Sequence, residues 1–335
     1  MRERLSALAR RPWDGWSRFW FAEIDGTAFG LVRILFSAAA ILTLLEFAPL
    51  LREQYTDEGV FHALDAMRWS WGNAMAVFLR PALGSLGAVV VIYTALLFAL
   101  GFLLVGRFTR LAAAAVFALQ LWFQLRNPTY LNGGDEVLRL TAFYLFLGHL
   151  VVPPEGRAFS LDRARALARR GLDEATAAPP RMPAWPVRMI QLQVCIIYFL
   201  AGFWKLLGDS WWNGDAIYVA IGNASITRFG PLGGAWSWPL YWVAGLFVAW
   251  WEFLFPLLVL TRWGRRFSIA HGIALHLGIL LTMNIGFFSL VMLATYPVFV
   301  DPAWARRTVL RRFGGLGRAA LHWFGPRPRV APGRA

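Results

Sequence analysis

Eight stretches of this chain read as apolar segments of about the length that crosses a bilayer, and this pattern constrains the fold more than any motif. They fall at about 28–50, 84–105, 110–126, 136–152, 188–207, 239–261, 266–283 and 285–300. A hydrocarbon core of about 30 Å requires about 20 helical residues. The last stretch is short, and only Gly106 to Thr109 interrupts the second and third. The composition agrees, with 58% apolar and 16% charged residues against roughly 25% charged in ordinary soluble domains. The expected fold is an all-α, polytopic transmembrane helical bundle of about eight spans.

The formal charge of +14 would suit nucleic acid if it lay along one soluble face. Instead the arginines cluster between apolar runs, so no nucleic-acid partner is expected and the clusters serve as topology signals. Placing both termini in the cytoplasm puts 24 arginines inside, including five before residue 19, six from 157 to 181 and eight from 306 to 334, as the positive-inside rule favours. Residues 1–26 then form an interfacial segment, with Trp13, Trp16 and Trp20 at helical spacing beside Arg10, Arg11 and Arg18. A transmembrane domain follows over 27–302 and a basic cytoplasmic tail over 303–335. Residues 160–170 read as a second interfacial helix, followed by a Pro-containing link from Pro179 to Pro186. The lipid bilayer is the expected partner of these segments. No cleavable signal peptide is expected. The single cysteine, Cys195, excludes an intramolecular disulfide.

Of the 33 basic side chains, 32 are arginine and one is lysine, Lys205, inside a hydrophobic stretch. Either residue serves as a solvated charge, but only lysine has a proton it readily loses when desolvated. Lys205 is therefore the first candidate for chemistry, the other reading being a chance survivor that snorkels to the interface. Gln191, Tyr198 and Lys205 are spaced by seven and lie on one helix face, with Cys195 and Gly202 adjoining. That stripe belongs toward the bundle interior, where Gly202 lets a backbone or flat ligand come close. Asp209, Trp211, Trp212, Asn213, Gly214 and Asp215 follow as an acidic, aromatic cap on the outer side. In the preceding outer loop, Asn132 and Asp135 begin the fourth span, with Asp135 placed to pair with Arg139 at i, i+4. These carboxylates are candidates to hold Lys205 protonated.

Ionisable groups at membrane depth are costly unless paired or solvated. Glu252 falls near the middle of the sixth span and His276 near the middle of the seventh, on neighbouring helices that can meet. Pro256 cannot donate to the Glu252 carbonyl, so a free acceptor and a kink are expected there. The pair reads equally as a proton-handling or polar ligand site and as a structural interhelical hydrogen bond. His271 lies on another face. No metal is expected.

The run QLQVCIIYFLAGFWKLLGDSWWNGDAI (191–217) resembles a helix of vitamin K-dependent gamma-glutamyl carboxylases and of the bacterial HTTM (horizontally transferred transmembrane) family. There a Tyr-Phe-x-Ala-Gly-x-x-Lys pattern precedes an acidic, Trp-containing loop. YTDEGVF (55–61), FHALDAMRW (61–69), NGGD (132–135) and HLGILLTMNIGFFSLVMLATYPVF (276–299) are similar to further family segments in the same order. The likeness covers most of residues 25–310 and implies a multi-pass protein of the bacterial inner membrane.

For the carboxylases, the resemblance implies a membrane-embedded lysine that deprotonates vitamin K hydroquinone, oxygen addition, and a strong base that removes a Glu γ-proton so that CO2 adds. Lys205 falls on that lysine, His276 on a helix histidine, and Glu252 is typical of HTTM members. Menaquinol is the bacterial counterpart of the quinol. Tyr198, Gly202 and Trp204 are then the candidate pocket lining. Two departures stand. Asn132 is followed by Gly133 and Gly134 where carboxylases carry a histidine. Carboxylases also have a large luminal domain for the protein substrate, for which no segment is seen here. The expected function is quinol-dependent carboxylation or epoxidation chemistry with Lys205 as base. The competing expectation is a non-enzymatic membrane protein that assists maturation, export or immunity of a partner on the outer side, the same residues joining helices. A transporter is disfavoured because no inverted repeat is visible.

Overall fold

A computed structural model describes residues 13–69, 84–174, 176–229 and 235–312. The predicted basic stretch before residue 13 and the predicted tail beyond 312 lie outside them. The helices that matter here are α1 (13–21), α2 (Thr27–Phe47), α3 (Leu51–Tyr55), α4 (Ala63–Trp69), α5 (Leu86–Val105), α6 (Thr109–Arg126), α7 (Gly133–Val151), α8 (Leu161–Ala168), α9 (Trp185–Leu207), α10 (Asp209–Trp212), α11 (Asp215–Gly222), α12 (Trp238–Leu258), α13 (Arg262–Thr282) and α14 (Phe288–Thr295), with α15 over Pro302–Arg312.

A helix begins within a few residues of every predicted span. Among the described residues, four segments are long and apolar enough to cross a membrane: Thr27–Tyr55, Leu86–Val105, Trp185–Leu207 and Trp238–Leu258. Helices α6, α7 and α13 have 18, 19 and 21 residues, about 27–32 Å at 1.5 Å per residue, but carry more polar side chains. In α6 and α7 several of these, including Gln120, Gln124, Asp135 and His149, are buried inside the bundle. The predicted eighth span differs. Its apolar run forms only the eight residues of α14 and a 3-10 turn over Tyr296–Phe299, then bends by 115° into α15. Eight residues reach about 12 Å, so α14 alone does not cross. Gly286, at φ 64°, sets the turn before it.

The helix ends follow from local chemistry. Ser85 accepts from the Ala88 amide at the start of α5. Gly106, in the left-handed region at φ 71°, ends α5 with its amide on the Leu103 carbonyl and the Arg107 amide on that of Phe102, a closure that glycine permits at no Cβ cost. Asn132 and Asp135 form a capping box at the start of α7. Asp135 therefore caps the helix rather than pairing with Arg139, whose guanidinium is on Glu136. Arg33 is fully buried and donates to the Leu103, Leu104 and Phe159 carbonyls, which occupies the open acceptors at the end of α5.

Helices α2, α5, α6 and α7 pack in sequence, and α9 packs most extensively on α12. Helix α14 touches α2, α7 and α13, and the turn after it reaches α2 and α9, so this short segment wedges between the two groups. Among the described residues, one two-stranded sheet departs from all-α. Glu23–Asp25 (β1) pairs antiparallel with Arg181–Pro183 (β2), with Ile24 opposite Met182. This clip ties the segment after α1 to the Pro-containing link before α9. Helix α1 leaves Trp13, Trp16, Phe19 and Phe21 uncovered, and α8 occupies the second predicted interfacial stretch.

Candidate functional site

The polar stripe of α9 faces inward, and its three members hold three different elements. Gln191 donates to the Val298 carbonyl at 2.5 Å, fastening the turn after α14. Tyr198, about two turns further, is buried, with its hydroxyl 2.5 Å from the Tyr296 hydroxyl and 2.7 Å from His276 Nε2. Lys205 donates to Glu252 Oε2 at 2.5 Å. The seven-residue spacing keeps these side chains within about 20° of one line per step.

Gly202 explains how α9 and α12 come close enough for the last of these. A Cβ there would run into the Phe253 backbone nitrogen and stand 2.7 Å from the Ala249 carbonyl oxygen. The glycine thus serves a backbone-to-backbone crossing, and its space is taken by α12 rather than by a flat ligand. Trp204 is 67% exposed, because one residue along a helix turns 100° away from the lysine's face. The expected lining of Tyr198, Gly202 and Trp204 is therefore not gathered in one pocket.

The Lys205 side chain is 23% exposed and that of Glu252 is 9% exposed. The Lys205 ammonium position also lies 5.3 Å from the Trp211 ring centroid, within cation–π range. Asp209 and Asp215 are exposed, and Asp215 accepts only a long contact of 3.4 Å from Trp238 Nε1. The counter-charge of Lys205 is Glu252 and not the outer-loop carboxylates. Likewise Glu252 and His276, read from sequence as potential partners, bond different residues. Helix α12 continues through Pro256 to Leu258.

His276, Tyr198 and Tyr296 form a buried chain of hydrogen-bonding groups. His276 Nδ1 has no partner in it. The Tyr198 ring packs 4.4 Å from Phe255 and 5.0 Å from Trp251 between centroids, which fixes the hydroxyl. Gly272 on α13 leaves the space that the Tyr296 hydroxyl occupies. Tyr296 and Gly272 escaped sequence reasoning. Tyr296 belongs to the TYPVF run, but nothing in its spacing signals that a non-helical turn brings it back to α9. His271 stands apart, 4.5 Å from the Trp251 ring.

Asn132 and Asp135 belong elsewhere. They line a cavity of about 270 Å3 between α2, α7 and the start of α14, with Glu46, Tyr130 and Asn284 also in its wall. Among the described residues no three His, Cys, Asp or Glu side chains gather as ligands for a metal ion.

A family model for the HTTM domain matches residues 21–304, which includes the α9 stripe, Glu252, His276 and Tyr296. No curated protein and no solved structure matches the chain. With its apolar spans and a match over most of its length, this membrane protein belongs to the HTTM domain family.

Proposed function

We propose that this protein is a quinol-using enzyme of the carboxylase-related HTTM type, with Lys205 and Glu252 as a proton-accepting pair. The observation that carries the reading is the 2.5 Å contact between the only lysine and a buried carboxylate on two apolar, span-length helices. In a low-dielectric setting such a pair exists as ammonium and carboxylate or, after internal proton transfer, as amine and carboxylic acid. The second form presents a neutral amine, a competent general base. Arginine could not provide it.

The surroundings suit a flat, lipid-soluble partner. Lys205 keeps about a quarter of its side chain accessible, and Phe199, Phe203 and Trp204 form an exposed aromatic surface on the same helix. A bound menaquinol would supply a weakly acidic hydroxyl and reducing equivalents. The protein's own residues then take up that proton at Lys205 Nζ, hold the amine against Glu252, and stack Trp211 over it. Tyr198, His276 and Tyr296 lie one to two turns away along α9 as a second proton-handling group. The family resemblance gives the overall reaction as carboxylation or epoxidation and the bacterial inner membrane as the location, and the positive-inside rule gives the arginine-rich side as cytoplasmic. The cavity lined by Asn132 and Asp135 is the candidate entry for an outer substrate.

A second reading has its own observation. The tight crossing at Gly202 makes the Lys205–Glu252 bond equally suited to stapling α9 to α12 in a non-enzymatic membrane partner. Because Lys205 is the only lysine, amine acylation followed by peptide mass spectrometry reports on it alone, apart from the N-terminus. Menaquinol in nanodiscs is expected to slow acylation of Lys205 severalfold and leave the N-terminus unchanged. Equal rates with and without menaquinol would contradict the quinol reading and favour the staple.

A further inference from the structure

The turn between α5 and α6, the segment after α7 and helix α8 line a shallow, open pocket of about 270 Å3. Among the described residues, Arg107, Arg110, Arg157, Arg165 and Arg169 line it, with Asp162 as the one carboxylate. Asp162 is already occupied. It accepts from the Phe108 amide at 3.0 Å, from the Thr109 amide and hydroxyl at 2.9 Å each, and from Arg157 Nη1 at 2.9 Å. Arg107 also approaches it at 3.6 Å. It caps α6 from outside the helix and offsets one positive charge.

The neighbouring acids are committed elsewhere. Glu155 pairs with Arg170 at 2.7 Å, and Glu174 with Arg163 at 2.7 Å and Arg306 at 3.3 Å. Arg165 has a partner of its own, and Arg107, Arg110, Arg157 and Arg169 set four guanidinium groups around one carboxylate, an arrangement whose mutual repulsion an anion would relieve. Arg110 is held there by its Nε bond to the His149 carbonyl at 3.0 Å. Guanidinium forks match the paired oxygens of a phosphate. At the rim, Leu111 and Phe108 are exposed apolar residues. Phe108 is turned out by a left-handed backbone at φ 51°, and Arg107 stacks on its ring at 3.7 Å.

We propose that this pocket is a binding site for a phosphoryl group, with Arg110, Arg157 and Arg169 as its donors and the Phe108–Leu111 rim as its apolar margin. The phosphoryl group belongs either to an anionic lipid headgroup or to a soluble phosphate ester. The site is separate from the Lys205 pair and does not depend on the quinol reading.

The test uses the full chain in nanodiscs, comparing wild type with Arg110→Gln/Arg169→Gln, which leaves the Asp162 cap intact. One arm measures by native mass spectrometry the phosphatidylglycerol retained after release from mixed phosphatidylglycerol and phosphatidylcholine discs. The other measures the rise in melting temperature that inorganic phosphate or pyrophosphate produces in pure phosphatidylcholine discs. Affinity in one arm is expected to fall about thirtyfold in the variant, from the contribution of two arginines. A loss in the lipid arm identifies a headgroup, and a loss in the soluble arm identifies a soluble phosphate. If the double variant does not fold, exposed Arg169→Gln carries the comparison, with about a fivefold loss. Equal lipid retention and equal phosphate response in wild type and a folded variant would overturn the proposal.

Discussion

Lys205 on α9 and Glu252 on α12 are 2.5 Å apart at the most extensive helix contact in the molecule, 47 residues apart in sequence. Removing one partner leaves the other without its counter-charge in a mostly apolar interface, the costly way to break such a pair. Glu252→Ala is expected to lower stability by about 3 kcal/mol. The double variant Lys205→Met/Glu252→Met should recover most of that loss. Unfolding of wild type and both variants in one detergent measures both; a double variant no more stable than Glu252→Ala would mean that the two do not interact.

Tyr198→Phe removes the hydroxyl that joins His276 and Tyr296 and leaves both with an unmet buried group. The expected cost is about 2 kcal/mol, against about 1 kcal/mol for Tyr296→Phe, which breaks a single bond. Thermal melting of the two variants side by side checks the order. Equal losses would show that Tyr198 is not the centre of the chain.

Gly202→Ala places a methyl against the Phe253 nitrogen and the Ala249 carbonyl. Helices α9 and α12 must then separate, at a cost of about 1–3 kcal/mol. Crosslinking between cysteines placed on the two helices should fall in parallel with stability. Unchanged crosslinking and melting would show that the crossing has slack.

At Asp162, burial works against the charge, but the Thr109 amide and hydroxyl, the Phe108 amide and Arg157 hold its carboxyl below the ordinary value of 3.8. A lowered folded-state value gives stability that is fully present above that ordinary value and is lost as pH falls through it and below. Wild type should therefore lose more stability on acidification below about pH 4 than Asp162→Asn, which starts lower at neutral pH. Parallel acid curves for the two proteins would contradict the assignment.

The helix positions were legible because apolar runs of bilayer length admit little else. The inward face of α9 was legible because a seven-residue spacing survives any packing detail. What failed was pairing at a distance. Asp135, Asp209 and Asp215 read as the counter-charges of Lys205, whereas helix packing delivers Glu252. Trp204 reads as pocket lining beside the lysine, although one helical step points it outward. The run over 285–300 reads as one straight span because composition does not register Gly286 and the Tyr296–Pro297 turn, which leave a short helix and a bent continuation. That turn carries Tyr296, which is why the sequence missed the third member of the buried chain.

The Lys205 pair is proposed to act on a quinol. Reduced menaquinone is supplied with oxygen and bicarbonate to the protein in lipid nanodiscs, and its epoxide is followed by mass spectrometry for wild type, Lys205→Ala, Lys205→Arg and Glu252→Gln. The account predicts epoxide from wild type, a loss of at least about 100-fold in both lysine variants, as befits removal of a general base, and an intermediate loss in Glu252→Gln. No epoxide from folded wild-type protein, or full activity in Lys205→Arg, would contradict it.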